Sequence, residues 1–241
     1  MFVDCGELHR AGPVIGESID RVPTLINIDH HISKGTPFGD IFWVEPSASS
    51  TCEMLHDLCA ALPLDLDPDI ASQLYTGVLT DTGSFRFSNT NQRVLEVATR
   101  LVAAGAEPDV IAQHVYDSAS PQRLRLLAMV LATSAFLAND RIATAELTRK
   151  MFQETGTSPM DGEGFINHFR SVGTVEMAML FREEKNGMVH VSMRSKGRVD
   201  VATLAQRHGG GGHRHAAAFR VSGSLPKLRR EFTQEAMRYL G

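Results

Sequence analysis

The sequence predicts an α/β unit with a mostly parallel, doubly wound sheet, followed by a smaller α+β unit with a mixed sheet. Three observations predict this. Up to about residue 117, short apolar strands alternate with longer helical segments, the pattern of a parallel sheet covered by helices. From about residue 139 the chain becomes strand-rich and carries Asn186-Gly187, a strong short-range hairpin signal. The charge divides at the same place: residues 1–140 hold 8 Lys+Arg against 18 Asp+Glu, and residues 141–241 hold 16 against 10.

The elements follow in order. FVD is a short strand ending at Asp4, and TLINI is a second that stops just before Asp29. SSTCEMLHDLCAAL reads as a helix, because Ser50 and Glu53 have the spacing of a capping box. Asp67 and Pro68 open a helix through Ile70 and Leu74 that runs into GVLTDTGSFRF. Asn91 caps an amphipathic helix reaching Ala104 and stopped by Gly105, and PDVIAQHVY adds a short one. Residues 118–138, with Ser120 as cap and Pro121 in the first turn, read as a helix linking a first domain (1–117) to a second (139–241). RIATAEL is a strand and TVEMAMLFREEKNGMVHVSMRS a hairpin. VDVATLAQRH is a helix entering GGGG, HAAAFRVSG a further strand, and KLRREFTQEAMRYL the closing helix.

Bulk composition narrows the function classes. With 241 residues, 43% hydrophobic and 22% charged, the chain can bury a core in each of two modest domains. No apolar run approaches the ~20 residues of a membrane span, and Asp4 and Glu7 fall where a signal peptide needs a basic region and an apolar core. Three cysteines without a C-x-x-C pair argue against a disulfide framework or a structural zinc site and for a reducing cytoplasm. A net charge of −4 argues against binding long duplex nucleic acid, and three Tyr with one Trp provide no extended stacking platform.

Three element ends in the first half present ionisable side chains: VDCG offers Asp4, IDHH offers Asp29, His30 and His31, and TDTGSF offers Asp81. Ligands in open α/β sheets gather at the carboxyl ends of the strands. Carboxylates converging there repel one another unless cations neutralise them, and oxygen donors with imidazole suit manganese or magnesium. Two such ions about 3.5–4 Å apart activate water for attack on phosphorus.

IDHH, an Asp at the preceding strand end, TDTGSFRF about fifty residues later and VSMRSKGRVDVATLAQRHGGGGHRHAAAF together resemble the DHH phosphoesterase superfamily with its DHH-associated domain. The likeness is to its bacterial nanoRNase/pAp-phosphatase branch and covers nearly the whole chain. It implies Asp4, His30 and Asp81 as metal ligands for two divalent ions, Mn2+ ahead of Mg2+. His31 is then a catalytic residue near the scissile phosphate, and Asp29 orients the histidine pair. It further implies short RNA oligonucleotides and 3′-phosphoadenosine 5′-phosphate (pAp) as substrates, hydrolysed to mononucleotides and AMP, and a homodimer.

Four successive glycines, Gly209, Gly210, Gly211 and Gly212, carry an entropic cost that calls for a reason. One is close approach of backbone N–H groups to a phosphate; another is a tight helix-to-strand connection. Arg194, Ser195, Lys196 and Arg198 crowd phosphate-binding donors after a strand. By the resemblance, Arg194 and His213 contact substrate, with Ser195 and Asn167 behind them, and Arg86 can reach a phosphate.

The superfamily pattern also includes a His/Asp cluster at a strand end ahead of VDCG, whereas Met1 lies three residues before Asp4. The chain therefore reads as an N-terminally shortened form, missing about half the expected metal ligands and a core strand by that analogy. Two alternatives to the hydrolase follow: a non-catalytic nucleotide-binding module, and a cyclic-dinucleotide (or linear dinucleotide) phosphodiesterase.

Overall fold

A computed structural model describes residues 1–6, 8–12, 15, 19–31 and 38–240. The chain forms two compact units, Met1–Ser118 and Ala119–Gly241, so the second is no smaller than the first.

The first unit contains a parallel sheet of β1 (Phe2–Val3), β2 (Ile26–Asp29) and β3 (Ile41–Val44), paired in that order. The central strand β2 is the buried one, as its Ile-rich run demands. β3 was not anticipated. Its four residues IFWV form an edge with Ile41, Phe42 and Trp43 all exposed, so no alternation between inside and outside marks it.

Four helices follow: α1 (Thr51–Ala61), α2 (Pro68–Asp81), α3 (Gln92–Ala103) and α4 (Pro108–Tyr116). Their starts are set by side chains that accept orphan backbone N–H groups. Ser50 Oγ takes Glu53 N at 3.0 Å, Asp67 takes Ile70 N at 2.8 Å and Asn91 takes Val94 N at 3.0 Å. The Glu53 carboxylate turns back one residue further than a capping box requires, to Ser49 N at 2.7 Å. Leu74, Val78, Val94, Val97 and Leu101 bury the facing stripes of α2 and α3.

The second unit opens with α5 (Pro121–Ala132) and then β4 (Ala135–Leu137) and β5 (Ile142–Leu147). The expected linking helix over 118–138 is therefore corrected in extent. It stops at Ala132, Thr133 Oγ1 accepts Glu146 N at 2.8 Å, and Ala135–Leu137 pairs antiparallel with β5. Leu126 and Val130 are wholly buried in the unit's core, which makes α5 part of this unit's packing.

Next come α6 (Arg149–Thr155), α7 (Ile166–Arg170), β6 (Met177–Glu183), β7 (Met188–Ser195), α8 (Val201–Arg207), β8 (Gly211–His213), β9 (Ala216–Ser222) and α9 (Leu225–Leu240). The short helices α6 and α7 escaped the sequence reading because one or two turns are too few to display a period. The sheet runs β4-β5-β6-β7-β9-β8, with β5 and β6 parallel and the other neighbours antiparallel. The β6–β7 hairpin turns where Asn186-Gly187 predicts, with φ values of 58° and 69°. Along β6, Met177, Met179 and Phe181 join the core made with α8 and α9, while Ala178 and Leu180 join the core made with α5 and α7.

Arg229 ties α9 to the sheet. Its guanidinium donates to Thr144 Oγ1 at 3.0 Å, Glu146 Oε1 at 2.8 Å and the Thr133 carbonyl at 2.9 Å. Arg229→Leu strands these acceptors and is expected to lower stability by about 2 kcal/mol. In urea unfolding, the midpoint should fall while the slope stays unchanged.

Candidate functional site

The first unit's site grows from the tips of β1, β2 and α2. Asp4 immediately follows β1 with φ at 58°, its N–H bonded to Ile28 O at 3.0 Å, which fixes the turn that lifts its carboxylate off the sheet edge. Thr51, the first residue of α1, donates its hydroxyl to Asp4 Oδ1 at 2.9 Å. Asp29 ends β2 and is fully buried. One oxygen accepts His31 Nδ1–H at 2.7 Å, and Oδ2 has no hydrogen-bond partner. A Cβ on Gly6 would stand 3.1 Å from that oxygen, so glycine keeps the space beside it open.

His30 lies with Nδ1 3.3 Å from the Ala48 carbonyl. A carbonyl only accepts, so Nδ1–H donates there and Nε2 is the ring nitrogen turned toward the acids. It is 3.6 Å from Asp4 Oδ1 and 3.6 Å from Asp81 Oδ2. His31 Nδ1 is also 3.7 Å from Asp4 Oδ1, and the two imidazoles meet edge to face at 4.9 Å.

Asp81 is the last residue of α2, and its approach to Asp4 is set one turn earlier. At Gly77 the two helices α1 and α2 touch so closely that any Cβ would run into the Cys52 side chain. Beyond Asp81, Thr82 Oγ1 donates to Val78 O at 2.7 Å and accepts Phe85 N at 3.1 Å, while Gly83, Ser84 and Phe85 all take left-handed φ values. Asn89 Nδ2 then pins the Asp81 carbonyl at 3.1 Å. Arg86 is held locally, with Nε donating to Gly83 O at 2.7 Å.

The electrostatics follow from this crowding. Burial, reinforced by the Asp4 charge and opposed by His30 and His31, raises the Asp81 carboxyl pKa above its ordinary value. Burial also pushes Asp29 up, but the His31 hydrogen bond and charge outweigh it and hold that carboxyl below the usual range. The Cys52 thiol is pushed up to about 11 by burial and by Asp81 and Asp4, so it stays protonated near neutrality. Among the described residues no Lys or Arg pairs with Asp4, Asp29 or Asp81. Ligand atoms of Asp4, His30 and Asp81 lie within 4.8 Å of one another, as do those of Asp4, Asp29 and His31. Carboxylates gathered around an imidazole nitrogen, with one buried oxygen unsatisfied, fit a divalent cation.

In the second unit, Arg194 sits next to the end of β7 with Nη1 donating to Met193 O at 3.0 Å. Burial lowers its guanidinium pKa, Glu163 raises it and Arg170 lowers it further. Asn167 is exposed on α7, three residues before Arg170 and hence on the same helical face. The glycine run divides. Gly209 follows the C-cap of α8 with φ at 73°, and a Cβ on Gly210 or Gly212 would strike the backbone of β9. Gly209 and Gly211 have open space around them. His213 closes β8 opposite Ala216.

Ser195 requires a correction. It is 1% exposed, its hydroxyl donates to Val199 O at 2.8 Å and accepts His215 Nδ1–H at 3.0 Å, and its carbonyl takes Arg170 Nε–H at 3.1 Å. It ties α7, the 196–200 turn and the β8–β9 connection together, so it is sealed from solvent and orders its neighbours rather than presenting a free hydroxyl. Thr51, Arg170 and His215 were missed by the sequence reading. Two carried a signal: the i,i+3 pair Asn167 and Arg170, and the second histidine of GGGGHRH. Nothing in the sequence marked Thr51.

A family model described as the DHHA1 domain matches residues 139–240. The chain is 35% identical over 199 residues to the bifunctional oligoribonuclease and PAP phosphatase NrnA of Thermus thermophilus, covering 83% of this chain and 59% of that one. It is 27% identical over 194 residues to the protein of the same name in Bacillus subtilis, covering 78% and 60%. The chain thus spans about three fifths of the length of these curated relatives. A crystal structure of an exopolyphosphatase-related protein from Bacteroides fragilis matches with TM-score 0.88 and 29% identity, over 98% of this chain and 70% of that one. No helix among the described residues is long and apolar enough to cross a membrane.

Two outcomes follow. Because burial disfavours the Asp81 anion, its ionisation opposes folding of the metal-free chain above the unfolded carboxyl pKa, and that penalty is relieved as pH falls through the raised folded value. Asp81→Asn should therefore raise the metal-free melting temperature at pH 7, with the difference from wild type shrinking on acidification. The variant should also lose the stabilisation that manganese gives wild type, which amounts to about 2.7 kcal/mol at a hundredfold excess over Kd. Ser195→Ala leaves Val199 O and His215 Nδ1–H unmatched and should cost about 1–2 kcal/mol in thermal unfolding.

Proposed function

We propose that the chain is a member of the DHH phosphoesterase superfamily and a divalent-metal-dependent hydrolase of very short RNA and of pAp, a reading supported by the DHHA1 match over residues 139–240 and by the similarity to the NrnA relatives. One observation carries the reading: His30 Nε2 faces both Asp4 and Asp81 at 3.6 Å, with no Lys or Arg among the described residues paired with either carboxylate.

Asp4, His30 and Asp81 hold the metal, with Asp4 shared between this trio and the neighbouring Asp29–His31 pair. Manganese suits the set better than magnesium because imidazole is a borderline donor. Divalent ions supply Lewis acidity there, lowering the pKa of water toward neutrality and screening phosphate charge. The protein's own groups do the rest. Asp29 fixes the His31 tautomer through Nδ1–H, which leaves His31 Nε2 to accept a hydrogen bond or a proton beside the scissile phosphate. Arg194, Asn167, His213 and the backbone of Gly209–Gly212 contact the nucleotide, and Arg86 reaches a phosphate. Ser195 positions its neighbours. The names of the Thermus and Bacillus relatives support the substrate class.

Release of AMP from pAp, and of mononucleotides from RNA dimers and trimers, should require manganese and stop with EDTA. Asp81→Ala should lower kcat/KM at least about 100-fold, roughly 2.7 kcal/mol of transition-state stabilisation. Turnover that ignores both changes overturns the reading, and pAp binding without turnover replaces it with a nucleotide-binding module.

A further inference from the structure

The glycine run begins beside a histidine that the proposed chemistry does not use. His208 is the C-cap of α8, and its ring stacks on Phe219 of β9 at 4.9 Å and meets Phe232 of α9 edge-on at 4.8 Å. Phe219 and Phe232 themselves meet at 4.8 Å and are both buried. The polar edge of the imidazole is used as well, since Nε2–H donates to Glu235 Oε2 at 2.9 Å. Two phenyl rings set where His208 sits, and the carboxylate sets its rotation.

This contact is one end of a longer seam. Phe232, Glu235 and Tyr239 recur at spacings of three and four, so they share one face of α9. At the far end Tyr239 donates its hydroxyl to Asp200 O at 2.9 Å, and the Arg207 guanidinium lies 5.7 Å above the Tyr239 ring. Helix α8 is thus clasped to α9 along its length, with His208 as the last grip before the chain leaves the helix. Gly209 N and Gly210 N still bond back to Gln206 O and Ala205 O, at 3.2 and 2.9 Å. From Gly211 the backbone depends on its pairing with β9. Since Phe219 belongs to β9, His208 touches both supports of the run.

We propose that His208, held by Glu235, is a positioning residue that sets the conformation of Gly209–His213 for nucleotide binding. The functional half of this statement rests on the reading of that segment as part of the substrate site; the conformational half does not. The hydrogen bond distinguishes positioning from mere packing, because a phenyl ring fills the same space and lacks only the donor.

The test compares wild type with His208→Phe and Glu235→Ala in the full chain. Amide hydrogen exchange of the 209–213 segment should quicken about tenfold in both variants, with the strands of the core unchanged. The Kd for pAp, measured in EDTA to prevent turnover, should rise about fivefold or more. His208→Phe should melt close to wild type. Unchanged exchange at 209–213, or exchange raised equally throughout the second unit, overturns the proposal. So does wild-type pAp affinity in variants whose segment has loosened. If wild type fails to bind pAp both in EDTA and with manganese present, the functional reading falls, and the exchange result alone decides whether His208 orders the run.

Discussion

Two carboxylates, Asp4 and Asp81, are brought to the same imidazole nitrogen by elements that have every electrostatic reason to keep them apart. That repulsion is the constraint the first unit is built to withstand. Thr51 holds one carboxylate by a hydrogen bond, the Gly77–Cys52 contact brings the helix bearing the other close, and the left-handed turn after Thr82 ends that helix at Asp81. Each device is small, but together they keep like charges near one another around a buried imidazole. A cation bound there would turn that arrangement from a liability into a source of stability.

The second unit presents the opposite sign. Arg170 faces Arg194, Lys196 and His215, and each of the three is pushed toward its neutral form by burial and by that neighbouring charge. Ser195 is the polar hub that makes the crowding tolerable, because its hydroxyl and both backbone groups hold adjacent segments in place. Burial of this kind is typical of a residue that orders a site without touching what binds there. The lysine is held differently, with Nζ on the Val172 carbonyl at 2.6 Å, so its cation is partly satisfied by backbone.

Much of the fold was legible. The helix starts at Ser50, Asp67, Asn91 and Ser120, the hairpin at Asn186-Gly187 and the strand before Asp29 are written in local chemistry, where caps, turn residues and β-branched runs act over a few positions. What failed to show lies where local signals are short or where context decides. Strand β3 is four residues with three of them exposed, α6 and α7 are one or two turns, and α5 stops at Ala132 because Ala135–Leu137 pairs with β5 across a short turn.

The candidate site divides in the same manner. The residue types of the candidate metal centre were readable in IDHH and TDTGSF, since acids placed after apolar runs have few structural uses in such numbers. The sequence by itself determined those donors and the reversal of charge between the halves, because composition and spacing are properties of the covalent chain. Only the tertiary structure decided which nitrogen of His30 faces the acids, that Ser195 is sealed from solvent, and that Gly210 and Gly212 answer to the backbone of β9 while Gly211 does not. Those facts depend on atoms remote in sequence meeting at a few ångströms, and no local pattern encodes such a meeting.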